Sequence, residues 1–516
     1  KPPCFLRKFS PDGTLLVAFS LQQTSLEIYR YLGVTAAGQL LHELSGVHVY
    51  QDTEYGSQEI RRSLFQTLFK HKSTVNLIPT GGTDQLNREC SLFTPDNRHV
   101  ICGASVVCVQ DERYPRMSAI FPTNESLQLS TSFVLEDVTL FCVDLKEGRL
   151  CDKRQFKCDK IFLSHNQGVY LLDRLLAVLS VQHQTVYLFQ VDETTGQLIH
   201  LQSIGRFLHD DDELLMQRLV PSEELHPPAA SSASQAPEAV FSGFKQRLLT
   251  ALYRHFSQMT KTTNDPSHLR KFFMKFDFYR SLKMCRMQLL DRETILFRMA
   301  AEEVILSHRA EPTAASLFVV YNMRSTRILA LFDNNSDEFL EVYESYADQF
   351  RDPDGDLNCL PSISSSQAVR ECHEAYKRTI LNAKGGGASE VTKRVLSTLP
   401  IFAQSFSRSP YLDLELFSYD DKLVSPLERP RACGDCPVRF YSRDTGQLKF
   451  QLYCGLAARG LAAPSYSQRS LVAFVFHPYD PFAISVQRNN RDYVVNFHLR
   501  GNCIGPEDCD WSFEAT

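Results

Sequence analysis

Apolar and polar residues alternate along much of this chain in short runs bounded by turn residues, the period-2 pattern of half-buried β-strands. Three elements of that pattern recur. The first is a strand, a tight turn and a second strand. Phe9-Ser10-Pro11-Asp12-Gly13 leads into Leu15-Leu16-Val17-Ala18-Phe19, Phe93-Thr94-Pro95-Asp96 into Val100-Ile101-Cys102, and Phe476-His477-Pro478 into Phe482-Ala483-Ile484. Proline pre-sets φ at such a turn, and Asp or Gly lets the chain reverse. The second element is a hairpin around a polar turn. Residues 20–29 (SLQQTSLEIY) and 180–189 (SVQHQTVYLF) align without a gap, matching Leu26 with Val186 and Ile28 with Leu188. Ser485-Val486-Gln487 begins a third copy, whose next strand resumes at Tyr493. In the third element an apolar strand ends in a polar turn and restarts: Asp144-Leu145-Lys146-Glu147-Gly148, Asp192-Glu193-Thr194-Thr195-Gly196 and Arg443-Asp444-Thr445-Gly446. Glycine late in the turn supplies φ > 0.

Four short strands with these turns, recurring at about 40–45 residues, describe a propeller blade. The expected fold is therefore mainly β: a WD40-like β-propeller of about seven or eight blades with helical insertions. A β-sandwich is the alternative. The copies at 4–29 and 471–497 are the most alike. Their similarity predicts that the two ends of the chain meet and share a final blade, leaving no free sheet edge.

Several segments break the pattern. Residues 58–71 carry Ile60, Leu64 and Leu68 on one helical face, with Arg61 and Arg62 opposite. Pro221 to Pro237 is a polar Pro/Ser/Ala stretch that reads as a disordered linker. Phe244, Leu248, Leu252 and Phe256 follow at four-residue spacing, and a basic aromatic stretch begins at His268. Further helices are expected over Asp337 to Phe350, with Asn335 and Glu338 at capping-box spacing, over Gln367 to Leu381 and over Glu390 to Leu399. Gly385-Gly386-Gly387 reads as a helix terminator, since no Lys-Ser/Thr follows to make a phosphate loop. The resulting organisation is N-terminal blades over 1–210, a linker over 211–240 and a helical or mixed insertion over 241–300. Blade strands with a helical insertion follow over 301–400, then closing blades over 401–500 and a tail over 501–516.

Composition narrows the class. The 516 residues are 43% hydrophobic and 22% charged, enough apolar side chain for a large folded ring. A net charge of −5 gives no broad attraction to nucleic acid or anionic membrane. The longest apolar runs, Leu471–Phe476 and Leu175–Leu179, are strand-sized. The chain opens on Lys1-Pro2-Pro3-Cys4, without an initiator methionine or a signal-peptide core, and reads as a fragment. Fifteen scattered cysteines, many within strand-like runs, read as free thiols of a reducing compartment.

The catalytic motifs tested are missing: no G-x-S-x-G, H-E-x-x-H or G-x-G-x-x-G, and no EF-hand loop. The sole C-x-x-C, Cys433 to Cys436, would need a second ligand pair for zinc, Cys503 with Cys509 or His477 with His498. The acidic run His209-Asp210-Asp211-Asp212-Glu213 reads as a solvated loop. Asp420-Asp421 lacks an accompanying nucleophile or base. The basic stretch at 268–283 reads first as a helix with solvated Lys and Arg, second as a nucleic-acid contact. No catalytic residue, cofactor or metal ligand is assigned, and the partner-binding residues stay undefined.

Longer strings carry a resemblance. They are Asn87–Phe93, Phe156–Lys160, Leu163–Gly168, Met287–Asp291, Phe318–Met323, Ser409–Leu414 running into Leu416–Lys422, Phe482–Arg488 and Tyr493–His498. The set resembles the de-etiolated homolog family over nearly the whole chain. What the resemblance implies is a non-catalytic scaffold and substrate receptor of a nuclear, also cytoplasmic, cullin-RING ubiquitin ligase. In that family the protein joins the large damaged-DNA-binding adaptor subunit and a small companion subunit. It recruits a ubiquitin-conjugating enzyme and the constitutively photomorphogenic RING ligase to the cullin-RING core, and transcription factors are degraded. Direct nucleic-acid or membrane binding is not implied. The family's basic segment ahead of the first blade, thought to help dock the adaptor, is not in this sequence, and residues 501–516 run past the family's usual end. The alternatives are a propeller that binds nucleic acid or scaffolds other partners, and a propeller hydrolase.

Overall fold

The computed structural model describes residues 4–38, 63–79, 81–108, 117–121, 125–128, 134–205, 243–306, 315–334, 336–342, 471–488, 493–500 and 512–515, with a discontinuous part of 374–454. These residues form six antiparallel sheets, each a simple meander. The first holds β1 (Cys4–Phe9), β2 (Leu15–Ser20), β3 (Ser25–Tyr31) and β4 (Phe69–Asn76). The second holds β5 (Gln85–Phe93), β6 (His99–Val107), β7 (Glu136–Asp144) and β8 (Arg149–Asp159). The third holds β9 (Val169–Leu172), β10 (Leu175–Ser180), β11 (Thr185–Val191) and β12 (Leu198–Ile204). The fourth holds β13 (Leu282–Leu289), β14 (Thr294–Ala301), β15 (Ser316–Asn322) and β16 (Arg327–Asp333). The fifth has three strands, β17 (Phe417–Ser418), β18 (Val438–Ser442) and β19 (Leu448–Leu452). The sixth holds β20 (Val472–Phe476), β21 (Phe482–Arg488), β22 (Tyr493–Arg500) and β23 (Ser512–Ala515).

First strands of successive sheets are neighbours, in the order β20, β1, β5, β9, β13. That radial order makes the sheets blades of a propeller and excludes a two-sheet sandwich. Six blades are present among the described residues, against the expected seven or eight. The cores lie between blades. On β2, Val17 and Phe19 face the second blade with Phe93 and Phe141, while Leu16 and Ala18 face the sixth with Phe482 and Ile484. A strand buried on both faces explains the unbroken apolar run Leu15–Phe19.

The turn elements fold alike. In the first, the Ser10, Thr94 and His477 N–H groups donate across the turn to Leu15, His99 and Phe482 carbonyls at 2.8, 3.0 and 2.9 Å. Gly13 and Asn97 take the left-handed conformation these turns need. In the second, Phe19 pairs with Leu26 and Leu179 with Val186, so the gapless alignment is also a structural register. The third copy differs. Ser485-Val486-Gln487 lies inside β21, whose partner strand is paired as far as Arg488–Tyr493. In the third element, Gly148, Gly196 and Gly446 all have φ near +70°. Their N–H groups bond back to Asp144, Asp192 and Ser442 carbonyls at 2.8, 3.1 and 2.8 Å.

Two expectations about the ends are corrected. No blade is shared: β1–β4 and β20–β23 are separate sheets, and the ring joins by side-to-side packing of β1 on β20. Within the tail, β23 pairs with β22 as the sixth blade's outer strand.

Local differences have local causes. The helix expected over 58–71 is seen over 63–68 and stops where Phe69 enters β4, because pairing with β3 outweighs helical periodicity. The helix at 337–342 is capped by Ser336, whose Oγ accepts the Phe339 N–H at 3.1 Å. Asn335 lies outside the described residues, as do the linker at 211–240 and the acidic run at 209–213. Of the helices expected over 367–381 and 390–399, only scattered helical positions are described. Gly385 and Gly387 have positive φ, as terminators require. The ten described cysteines form no disulfide. Among the described residues no helix is long and apolar enough to cross a membrane.

Candidate functional site

Two places bring charged side chains together. One is formed by the inner strands. Arg7 on β1 donates through Nε to Ser91 Oγ (3.0 Å) and through Nη2 to the Glu89 carbonyl (3.0 Å), tying the first blade to the second. Glu428 lies across this junction, 3.3 Å from Arg7 and 2.7 Å from Lys8. Burial alone would raise the Glu428 carboxyl, but Lys8 and Arg7 outweigh it and hold it below the usual range. The Gln404 amide pairs with both backbone groups of Phe93, at 2.7 and 2.6 Å, as an added strand would. Asn166 bonds Ser91 in the same way from the third blade's side, accepting at 3.1 Å and donating at 3.4 Å. Each contact joins separate parts of the chain; none presents an activated nucleophile.

The other place is a helical module between the third and fourth blades: α1 (Gly243–Thr263), α2 (Ser267–Met274) and α3 (Phe276–Ser281). The four-residue spacing read in the sequence is its seat. Phe244, Leu248 and Leu252 are buried with Phe297 and Tyr321 of the fourth blade, and Phe244 meets both rings edge-on at 5.2 and 5.5 Å. Phe272 stacks on Tyr279 at 6.0 Å, folding α2 against α3.

Beneath the module lies a buried ionic triad. Lys283 Nζ donates to the Glu125 carboxylate and carbonyl, both at 2.9 Å. Lys245 Nζ is 3.6 Å from the same carboxylate and donates to the carbonyls of Arg280 and Leu282. Burial is the main force lowering the Lys245 ammonium to about 8, with Glu125 opposing it. Gln184 stitches the blades beside it, donating to the Met284 carbonyl (3.0 Å) and accepting its N–H (2.6 Å).

The basic stretch at 268–283 is therefore divided. Lys283 points inward, while Arg270, Lys271 and Lys275 are exposed. Beside them Phe273 is 61% exposed and Met274 86%, on a module whose other face is anchored. These are the two most exposed large apolar side chains among the described residues.

One described pair bears on the hydrolase alternative. His498 Nε2 and Ser485 Oγ are 2.8 Å apart, a nucleophile–base distance. Both are buried within the sixth blade, and burial pushes the His498 imidazole down to about 4. Among the described residues His498 Nδ1 has no acceptor to orient the ring. Asp420 caps its own turn, accepting the Lys422 N–H at 2.9 Å. Of the residues weighed for a C-x-x-C zinc site, Cys433 is buried in the fifth blade's core, while Cys436, Cys503 and Cys509 lie outside the described residues. The two histidines weighed with them are engaged elsewhere. His477 donates to the Gly13 carbonyl at 3.0 Å, and His498 bonds Ser485. Sequence reasoning singles out neither the triad, the Glu428 junction nor the exposed Phe273–Met274 pair as a site. Glu125 and Lys283 are 158 positions apart, and no alternation on β13 signals that the lysine is buried.

Comparison with known proteins adds a family. The model of the family described as De-etiolated protein 1 Det1 matches residues 88–501. The chain is 28% identical over 507 residues to the light-mediated development protein DET1 of Solanum lycopersicum, covering 97% of this chain and 91% of that one. It is likewise 28% identical to the Arabidopsis thaliana protein of that name, covering 96% and 91%. Among solved structures, the Dos1 propeller is similar at a TM-score of 0.19 and 8% identity, over 80% of this chain and 67% of that one, too weakly to bear on function.

Proposed function

We propose, from the premise that this chain belongs to the De-etiolated protein 1 family, that it is a non-catalytic scaffold and substrate receptor in a cullin-RING ubiquitin ligase. In this reading it joins the damaged-DNA-binding adaptor and its small companion subunit. It brings a ubiquitin-conjugating enzyme and the photomorphogenic RING ligase to transcription-factor substrates in the nucleus. The observation that carries the reading is the family match across residues 88–501. The geometry is compatible with it. The blades hold an anchored helical module whose outer face leaves Phe273 and Met274 in water beside Arg270 and Lys271. Such a surface binds without doing chemistry.

The test is affinity purification of the full chain from cells, followed by mass spectrometry. Recovery of the cullin, adaptor and conjugating-enzyme subunits is expected. Their absence, with the chain folded and expressed, refutes the reading.

A further inference from the structure

At one end of the second blade, three side chains converge from three strands. His99 opens β6, Asp144 closes β7 and Cys151 lies near the start of β8. One ligand atom from each, a ring nitrogen, a carboxylate oxygen and the Sγ, all fall within 4.8 Å of one another. The His99 and Asp144 side chains are fully buried, and Cys151 is half-buried.

The unusual member is His99. Both of its ring nitrogens are buried without a hydrogen-bond partner among the described residues. A buried polar group left unsatisfied costs about 1–3 kcal/mol, so two on one ring need a reason. Pairing with Asp144 does not supply it. The nearest contact, Nε2 to Asp144 Oδ2, is 4.0 Å, too long for a hydrogen bond. That oxygen already accepts from Arg98 Nε at 3.1 Å, and Oδ1 accepts the Lys146 and Glu147 N–H groups, both at 2.8 Å.

We propose that His99, Asp144 and Cys151 form a zinc site that staples the three strands at this end of the second blade. An imidazole, a thiolate and a carboxylate make a mixed N/S/O set that suits zinc and is too soft for magnesium or calcium. Thiolate and carboxylate offset the ion's two charges, and with Arg98 on Asp144 Oδ2 and two N–H groups on Oδ1, the second lone pair of Oδ2 is the one left for the ion. The ligand atoms of a tetrahedral zinc site are roughly 3.5 Å apart, so binding draws the three side chains in by about an ångström. The neighbouring turn lies close against the cluster. A Cβ on Gly196 would stand 2.8 Å from His99 Cδ2 and 2.9 Å from Cys151 Sγ, so only glycine fits over the cluster. With three protein ligands, the ion's fourth position would fall to water. The Cys151 thiol gives up its proton to solvent on binding, so affinity weakens as the solution is acidified.

A second cluster, Cys108, Asp137 and Cys158, is as tight but satisfies itself. Cys108 Sγ donates to Asp137 Oδ1 at 3.3 Å, and the Cys158 N–H donates to the same oxygen at 2.8 Å. It serves as the internal comparison.

The test is cobalt(II) titration of the full chain after chelation, read by thiolate-to-cobalt charge-transfer absorption, with zinc competing the band away. The expected result is one equivalent bound by the parent. Cys151→Ser and Cys151→Ala should remove the band, and His99→Gln should weaken binding at least tenfold. Cys108→Ser should leave the band unchanged, and circular dichroism checks that each variant is folded. A parent that shows no band overturns the proposal without reference to any variant. So does a band that survives in Cys151→Ser and disappears in Cys108→Ser.

Discussion

The junction of the sixth and first blades and the junction of the third and fourth do the same task with opposite chemistry. Where the first and sixth blades meet, the contact is a cluster of rings. Tyr31 stacks on Phe482 at 5.5 Å, Phe482 on Phe497 at 6.3 Å, and Phe9 meets Phe482 edge-on at 6.1 Å. A polar tie accompanies them, His477 to the Gly13 carbonyl. Between the third and fourth blades the aromatic seat of α1 is backed by the Lys245–Glu125–Lys283 triad and by Gln184. Ring packing is non-directional and tolerates small shifts, which suits two turns 464 positions apart that must find each other late. A buried ion pair is directional and is satisfied in one arrangement only. At the module, the triad ties α1 and β13 to the Glu125 segment.

The sharpest way to break the comparison is to damage each junction in kind. Glu125→Ala removes the carboxylate that both buried ammoniums face and should destabilise by ~3–5 kcal/mol. Replacing all three ions, Glu125→Leu with Lys245→Met and Lys283→Met, should recover most of that loss in urea unfolding. No recovery would mean the triad does more than satisfy itself. Phe482→Ala should be as severe, ~3–5 kcal/mol, by leaving a cavity. Its effect should not change between low and high salt, since no charge is involved.

Acid should act on the sixth blade next. His498 is held near 4 by burial, against its usual 6.5. Unfolding frees it to take up a proton, so the unfolded state binds more protons between these values and stability rises with pH there. The contribution is complete above pH 6.5 and is lost as pH falls toward 4, by roughly 3 kcal/mol in all. His498→Gln should flatten that slope in thermal melts, and an unchanged slope would place the titration elsewhere.

A smaller effect is expected at the closing turn. Gly13 has φ +72°, and a Cβ there would meet His477 Nε2 at 2.6 Å. Gly13→Ala should cost about 1–3 kcal/mol through backbone strain and the lost tie. Gly446→Ala, equally left-handed but with open space around it, should cost less. Equal losses would show that the His477 contact contributes nothing.

Much of this contrast is legible in the sequence, but on one side only. The closing junction can be read in part: Phe9 of the first F-x-P packs there against Phe482, which opens the strand after the last copy, while Phe476 of that copy lies in the core shared with the fifth blade. The seat of α1 can be read because Phe244, Leu248 and Leu252 keep helical spacing. The triad cannot, because Glu125 stands in an irregular segment with no period to give it a partner. Gln404, paired with Phe93 from 311 positions away, is hidden for the same reason. Local pattern also misleads where pairing overrides it. The S-x-Q of the last copy is drawn into β21, and Phe69 is drawn out of a helix into β4. The proposed zinc ligands match no ligand motif in their spacing, since three strands of one sheet bring them together.

If the ring holds a partner surface and the α1–α3 module presents it, the pair Phe273 and Met274 must matter for assembly and not for folding. Phe273→Ser with Met274→Glu separates the two, because both side chains are exposed and stability should shift by no more than about 0.5 kcal/mol. Parent and variant are purified from cells at matched expression, and ligase subunits are quantified by mass spectrometry. The parent is expected to carry the cullin-ligase subunits, and the variant to lose at least one of them while melting unchanged. Identical subunit recovery from parent and variant would contradict a partner surface on this module.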